Sequence, residues 1–136
     1  MAKPNKLALL QAAAHARLQA VAPYSRFHVG AALATAKGVI IPGANVESAS
    51  YGLTCCAERV ALFRALTSGE KEFVALAVVA AVEGGPAPCG ACRQLLAEYA
   101  AGATIWVAHP DHLEHGREFT VRELLPAAFV GFQPDC

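Results

Sequence analysis

Two short cysteine-containing stretches most constrain what this chain can fold into, because their side chains have to meet in space. They are residues 54–59, which read TCCAER, and residues 88–93, which read PCGACR. Cys56, Cys89 and Cys92 are expected at the starts of two helices, where the positive dipole end favours thiolate. Three protein ligands with an open fourth position are typical of catalytic zinc. The sequence therefore predicts one zinc ion per chain, with the carboxylate of Glu58 beside it.

Two other interpretations of these cysteines are a structural zinc site and a redox pair. A structural zinc site would need a fourth ligand, and Cys55, Cys136 and the histidines are the candidates. Cys55 is adjacent to Cys56 and would point about 100° away from it on a helix, so both cannot easily bind one ion. The CGAC sequence at 89–92 could also be a redox pair. Glu58, two residues from a ligand, favours the catalytic interpretation.

The composition limits the other classes of function. Residues 1–136 are expected to form a single domain, since this length buries one sizeable core. Apolar residues make up 55% of the chain and charged residues 16%, which favours an oligomer that covers apolar surface. The formal net charge is zero, which argues against a nucleic-acid partner.

The cysteines and the apolar segments indicate the cellular compartment in which the protein is expected. The odd count of five cysteines favours a reducing compartment, so we expect a cytoplasmic protein. No uninterrupted apolar run is long enough for a membrane span, so no membrane partner is expected.

Hydrophobic periodicity predicts an α/β fold in three layers, α/β/α, around a mixed sheet. The predicted helices are residues 5–20 (ended by Pro23), 54–67, 89–100 and a short one from the capping-box sequence 120–123 to 125. The predicted strands are residues 29–34 and 39–44 as a hairpin, a central buried strand at 73–82, a second buried strand at 104–108 and a short one at 118–120.

Two further groups of residues have alternative interpretations. Arg59 follows Cys56 by three residues, on the same helical face, and is expected to donate to the thiolate sulfurs rather than face solvent. His109, His112 and His115 recur every third residue in a segment, 109–117, that is predicted to be a polar loop. Solvated histidines are the favoured reading, and a second metal site is the alternative.

The Cys-x-Glu and Pro-Cys-x-x-Cys motifs are typical of zinc deaminases. They belong to a longer series of stretches, which are residues 22–27 (APYSRF), 29–32 (VGAA), 43–47 (GANVE), 56–59 (CAER), 88–94 (PCGACRQ) and 124–129 (LLPAAF). On this series rests a resemblance, along nearly the whole length of the chain, to the small, homotetrameric type of cytidine deaminase. It implies a five-stranded mixed sheet flanked by helices, and deamination of cytidine and deoxycytidine.

The resemblance also implies roles for individual residues. It assigns zinc binding to the three cysteines, proton transfer to Glu58 and neutralisation of sulfur charge to Arg59. It assigns nucleoside contacts to Phe27 (pyrimidine packing), Asn45 and Glu47 (ribose hydroxyls), Ala57 (backbone to base), and Phe129 and Tyr51 (a neighbouring subunit's site).

Three alternative functions share part of this sequence pattern. A blasticidin-type drug deaminase shares the zinc motifs, but Phe27, Asn45 and Glu47 favour a nucleoside. A deaminase of tRNA or single-stranded DNA would need basic surface. A non-catalytic, zinc-stabilised interaction module would leave Glu58 unexplained.

Overall fold

The computed structural model describes residues 4–131 and confirms the α/β class. The helices are α1 (Lys6–Arg17), α2 (Ala57–Thr67), α3 (Gly90–Tyr99) and α4 (Val121–Leu124), with a 3-10 turn at Tyr51–Leu53. The strands are β1 (Val29–Thr35), β2 (Ile40–Ala44), β3 (Phe73–Ala80), β4 (Thr104–His109) and β5 (His112–Thr120). Among these residues, no helix has both the length and the apolar character needed to span a bilayer.

The five strands form one mixed sheet in the order β2-β1-β3-β4-β5. Only β3 and β4 are parallel, as expected for strands joined by the crossover helix α3. β3 is buried on both faces and lies at the centre, as predicted. α1 covers one face, against Ala32 and Ala34, while α2 and α3 cover the other, against Ala31 and Leu33. This alternation along β1 produces the three predicted layers.

Gly43 in β2 sets the position of α2 over the sheet. A Cβ atom at this residue would lie 2.5 Å from the backbone nitrogen of Ala61 and 2.7 Å from the carbonyl oxygen of Ala57. Only glycine allows so close an approach of helix and strand backbones. The beginning of α2 is thereby held beside the end of β2, which leads to Asn45 and Glu47.

The first helix is shorter than predicted. It ends at Arg17, six residues before Pro23, so proline does not terminate it. The reason is a tertiary hydrogen-bond pair. The amide of Val21 donates to the carbonyl oxygen of Asn45 (2.9 Å), and the amide of Glu47 donates to that of Val21 (2.8 Å). The chain leaves the helix in order to make this bridge.

The prediction of a polar loop at 109–117 was wrong, because these residues belong to a hairpin of β4 and β5. β5 is the outermost strand and is largely exposed, so its residues carry no alternation of apolar side chains. Polar and charged residues are common on such edges, where they discourage pairing with other chains. The capping box after it is confirmed, with Thr120 and Glu123 exchanging two hydrogen bonds of 3.0 Å.

Candidate metal centre

Two helix N-termini converge on the predicted zinc ligands. Cys56 is the N-cap of α2 and Cys89 is the N-cap of α3, so Cys56 precedes the first turn in which it was predicted. Both have extended backbones, and neither side chain makes a capping hydrogen bond. Their sulfurs are therefore available to a metal. Cys92 lies three residues after its N-cap, the spacing that brings a side chain back over the helix end.

The three sulfurs are spaced as zinc ligands would be. Sγ of Cys89 lies 3.8 Å from that of Cys56 and 3.4 Å from that of Cys92, and all three fall within 4.8 Å of one another. Sulfurs at about 2.3 Å from a tetrahedral zinc ion would be about 3.8 Å apart. The donor set and its spacing fit zinc. Among residues 4–131, no other group of three such ligand atoms is this compact.

Arg59 lies against this cluster, as predicted. Its Nη2 is 3.5 Å from Sγ of Cys56 and 3.3 Å from the carbonyl oxygen of Thr54, while its buried Nε has no hydrogen-bond partner within the described chain. The hydrogen bond to Cys56 raises the pKa of Arg59 above its ordinary value. A guanidinium here offsets the negative charge that thiolates bring.

The pKa values of Cys56 and Cys92 are shifted in opposite directions. The hydrogen bond from Cys92, followed by that from Arg59, lowers the pKa of Cys56 to about 5. The same bond raises the pKa of Cys92, because that thiol is the donor. Cys56 is thus ready to bind metal as a thiolate at neutral pH, and the remaining thiol protons would be released on metal binding.

Glu58 is buried beside the sulfurs, with 6% of its surface exposed. Burial raises the pKa of Glu58 to about 7, and the nearby Cys56 thiolate acts in the same direction. A carboxyl group with a pKa near the operating pH can both accept and donate a proton. Its position in the first turn of α2 follows directly from the Cys-x-Glu spacing.

A cavity of about 270 Å³ opens onto the cluster and brings most of the predicted residues together. Its lining includes Phe27, Asn45, Glu47, Cys56, Ala57, Glu58 and Cys89. Five further lining residues were not predicted from the sequence, which are Ser25, Val29, Thr54, Pro86 and Ala87. Ser25 lies within the APYSRF stretch, which was the available signal.

Asn45 and Glu47 are both hydrogen-bonded to the loop before β1, Asn45 as a buried side chain and Glu47 as a partly exposed one. Asn45 is 7% exposed; its Oδ1 accepts from the amide of Val29 (2.9 Å) and its Nδ2 donates to the carbonyl of Phe27 (2.8 Å). Glu47 accepts from the hydroxyl of Ser25, from the Ser25 amide (3.0 Å) and from the amide before it (3.0 Å). These bonds, led by the Ser25 hydroxyl, lower the pKa of Glu47. Both side chains fix the loop that carries Phe27.

Tyr51, Phe129 and Cys55 do not line this cavity. Tyr51 is 76% exposed and lines an adjoining cavity with Tyr24. Phe129 is 60% exposed, and its carbonyl accepts a hydrogen bond from Gln94. Cys55 is in an extended bridge with residue 46, not on a helix, and is absent from the sulfur cluster. Cys136 lies outside the described residues.

Comparison with known proteins identifies the family. The profile described as "Cytidine and deoxycytidylate deaminase zinc-binding region" matches residues 3–108. A cytidine deaminase of Halalkalibacterium halodurans is 51% identical over 123 residues, which cover 90% of this chain and 92% of that one. A cytidine deaminase of Sporosarcina psychrophila is 48% identical, covering 84% and 83%. The crystal structure of cytidine deaminase from Burkholderia pseudomallei superimposes with a TM-score of 0.85 at 46% identity, covering 93% and 100%. This chain therefore belongs to the cytidine and deoxycytidylate deaminase family.

Proposed function

We propose that this single-domain chain hydrolyses cytidine and 2′-deoxycytidine to uridine and 2′-deoxyuridine, with release of ammonia. The observation that carries the proposal is the meeting, in one cavity, of a zinc-compatible sulfur cluster and a buried carboxyl group. A purely structural zinc site has no use for Glu58, whose burial raises its pKa. The proposed physiological setting is nucleoside salvage in the cytoplasm, since a reducing compartment keeps the thiols free.

The proposed chemistry divides between the metal and one carboxyl group. Cys56, Cys89 and Cys92 would hold the ion, which would supply the Lewis acidity that makes water a better nucleophile at neutral pH. Glu58 takes a proton from the attacking water and delivers it to N3 of the pyrimidine, which makes C4 more electrophilic. Once the water oxygen has bonded to C4, Glu58 helps to transfer the remaining proton of that oxygen to the 4-amino group, and the C4–N bond breaks as C4=O forms. One water is consumed, and the products are the uracil nucleoside and ammonia.

The nucleoside would be held by the loop and strand end that face the cluster. Phe27 packs on the pyrimidine ring, and the backbone of Ala57 contacts the base. Asn45 and Glu47 bind the ribose hydroxyls through the hydrogen-bond donors and acceptors that are not already used within the protein. Because both are already anchored, little side-chain entropy is lost when ribose binds. The same anionic Glu47 would repel a phosphate on the sugar.

We further propose that four copies assemble into a homotetramer in which Tyr51 and Phe129 approach a neighbouring subunit's site. Support comes from their exposure and from the apolar side chains around Tyr51, namely Tyr24 and Leu53, which are also exposed. A monomer rarely leaves such surface uncovered. Sedimentation equilibrium should give about four chains per particle. A stable, active monomer would contradict this assembly.

The substrate is tested by mixing zinc-loaded protein with cytidine, deoxycytidine or cytidine monophosphate and following the loss of ultraviolet absorbance. Both nucleosides should be turned over, and the monophosphate far more slowly. Protein stripped by a chelator is the control. Comparable kcat/KM on the monophosphate would contradict the role of Glu47. Turnover of blasticidin but not cytidine would replace this function with that of a drug deaminase.

A further inference from the structure

We propose a second metal site on the β4–β5 hairpin, where His109, His112 and His115 bind one divalent transition-metal ion such as nickel or zinc. These three residues, hereafter the histidine triad, line one cavity of about 560 Å³ together with Ala81, Glu83 and Gly84. This cavity shares no lining residue with the one at the sulfur cluster. Imidazole is a preferred ligand for these metals.

An irregularity in the hairpin brings the triad to one side. Between the paired positions Val107–Arg117 and His109–His112, β4 advances by two residues while β5 advances by five. In a regular strand, His112 and His115 would point to opposite faces, because side chains alternate. The extra residues of β5 form a bulge that cancels this alternation. The ring of His112 consequently lies near both others.

The spacing of the rings is close to that of a shared ion. The ring centroids of His109 and His112 are 5.5 Å apart, and those of His112 and His115 are 6.3 Å apart. With a metal–nitrogen distance of about 2.0 Å, two imidazoles at a tetrahedral angle have centroids about 5 Å apart. His112 and His115 are exposed, so their side chains have room to turn toward a shared ion.

In His109 and in His115, one ring nitrogen lies near a neighbouring carboxylate, so the other nitrogen of each ring is left for the metal. Nε2 of His115 lies 3.6 Å from the carboxylate of Glu114, which leaves Nδ1 to bind. Nδ1 of His109 accepts from the amide of Asp111 (3.0 Å) and lies 4.0 Å from that residue's carboxylate. Binding through Nε2 requires the other tautomer, in which Nδ1–H turns to this carboxylate. Metal-bound histidines commonly make such a contact.

Glu83 lines the same cavity and offers a carboxylate as a further donor. It belongs to the segment that follows β3 and leads to Cys89. That segment is fastened to β5, because Arg117 donates to the carbonyl oxygens of Gly84 and Gly85, each at 2.9 Å. Three imidazoles and one carboxylate make a complete tetrahedral ligand set.

The test is titration of untagged, zinc-loaded protein with nickel by calorimetry. We expect one additional ion per chain, with the catalytic zinc retained. The double variant His112→Ala/His115→Ala should bind nickel at least about tenfold more weakly, since two of three imidazoles are lost. Glu83→Gln should give a smaller loss. Both removed histidines are exposed, and circular dichroism would verify that the fold is kept.

His15→Ala is the matched control, because this exposed histidine lies on α1, outside the triad's cavity. Its nickel affinity should equal that of the unmodified protein. Equal affinity in the double variant would overturn the proposal. So would an equal loss in His15→Ala, or nickel uptake accompanied by release of zinc and a nickel–thiolate absorption band, which would place the ion at the cysteines.

Discussion

Replacement of Asn45 by alanine should destabilise the protein, because two backbone groups lose the hydrogen bonds that the Asn45 side chain makes with them. The side-chain amide group of Asn45 spans the loop before β1. Its Oδ1 accepts a hydrogen bond from the Val29 N–H, and its Nδ2 donates one to the Phe27 carbonyl. Alanine can do neither. The backbone bridge between Asn45 and Val21 stays intact, so the loss isolates the side chain.

The magnitude follows from the burial of each partner. The bond to Val29 is buried, and an unsatisfied buried donor costs about 1–3 kcal/mol. The bond to Phe27 is partly buried, so water can replace some of it and its loss costs about 0.5–1.5 kcal/mol. We expect Asn45→Ala to lower the free energy of unfolding by about 2–4 kcal/mol, a large share of a typical total.

Urea unfolding without substrate measures this loss, and Asn5→Ala is the matched control. Asn5 caps α1 with one exposed bond of 3.1 Å to the amide of Ala8. Its removal should cost about 1 kcal/mol. If Asn45→Ala costs no more than Asn5→Ala, water fills the site, and the argument that Asn45 holds the Phe27 loop is wrong.

Three other changes test separate parts of the structure. Arg59→Lys removes the planar guanidinium beside the sulfur of Cys56 and should weaken zinc binding about 10–100-fold. Competition with a chelator measures the zinc affinity, and an unchanged affinity would contradict the role of Arg59 in offsetting the thiolate charge. Gly43→Ala places a Cβ atom 2.5 Å from the Ala61 nitrogen and should cost about 1–3 kcal/mol in urea, whereas a neutral result would refute the close packing of α2. The lowered pKa of Glu47 means that its contribution to stability is present above its ordinary pKa of 4.5 and is lost as pH falls through the lowered value. The stability difference between the unmodified protein and Glu47→Gln should therefore shrink in acid, and a constant difference would exclude this carboxylate as the cause.

The cysteine motifs were predictable because zinc chemistry restricts ligand type and spacing within a few residues of sequence. Cys56, Cys89 and Cys92 come together as expected, with Glu58 and Arg59 beside them. The capping box at α4 was predictable for the same reason, since both of its partners lie within one helical turn.

Features that depend on distant pairing were not predictable. The hydroxyl of Ser25 bonds to Glu47, which is far away in sequence, so the APYSRF stretch around Ser25 does not indicate its partner. Residues 109–117, which form the end of β4 and most of β5, carry mainly polar side chains and are held by backbone hydrogen bonds, so their pattern indicates a loop. The end of α1 at Arg17 depends on the backbone hydrogen bonds of Val21 with distant residues, and helix propensities do not indicate such bonds.

The central claim, that three cysteines hold a catalytic zinc ion and Glu58 moves the protons, is tested most directly by Glu58→Gln. Zinc per chain by elemental analysis and cytidine turnover are measured on the same preparation, with Cys55→Ser as the control. Glu58→Gln should keep about one zinc per chain while kcat falls by about 10²–10⁴ or more. Cys55→Ser should keep both. An active Glu58→Gln variant, or a Cys55→Ser variant that has lost its zinc, would contradict the account.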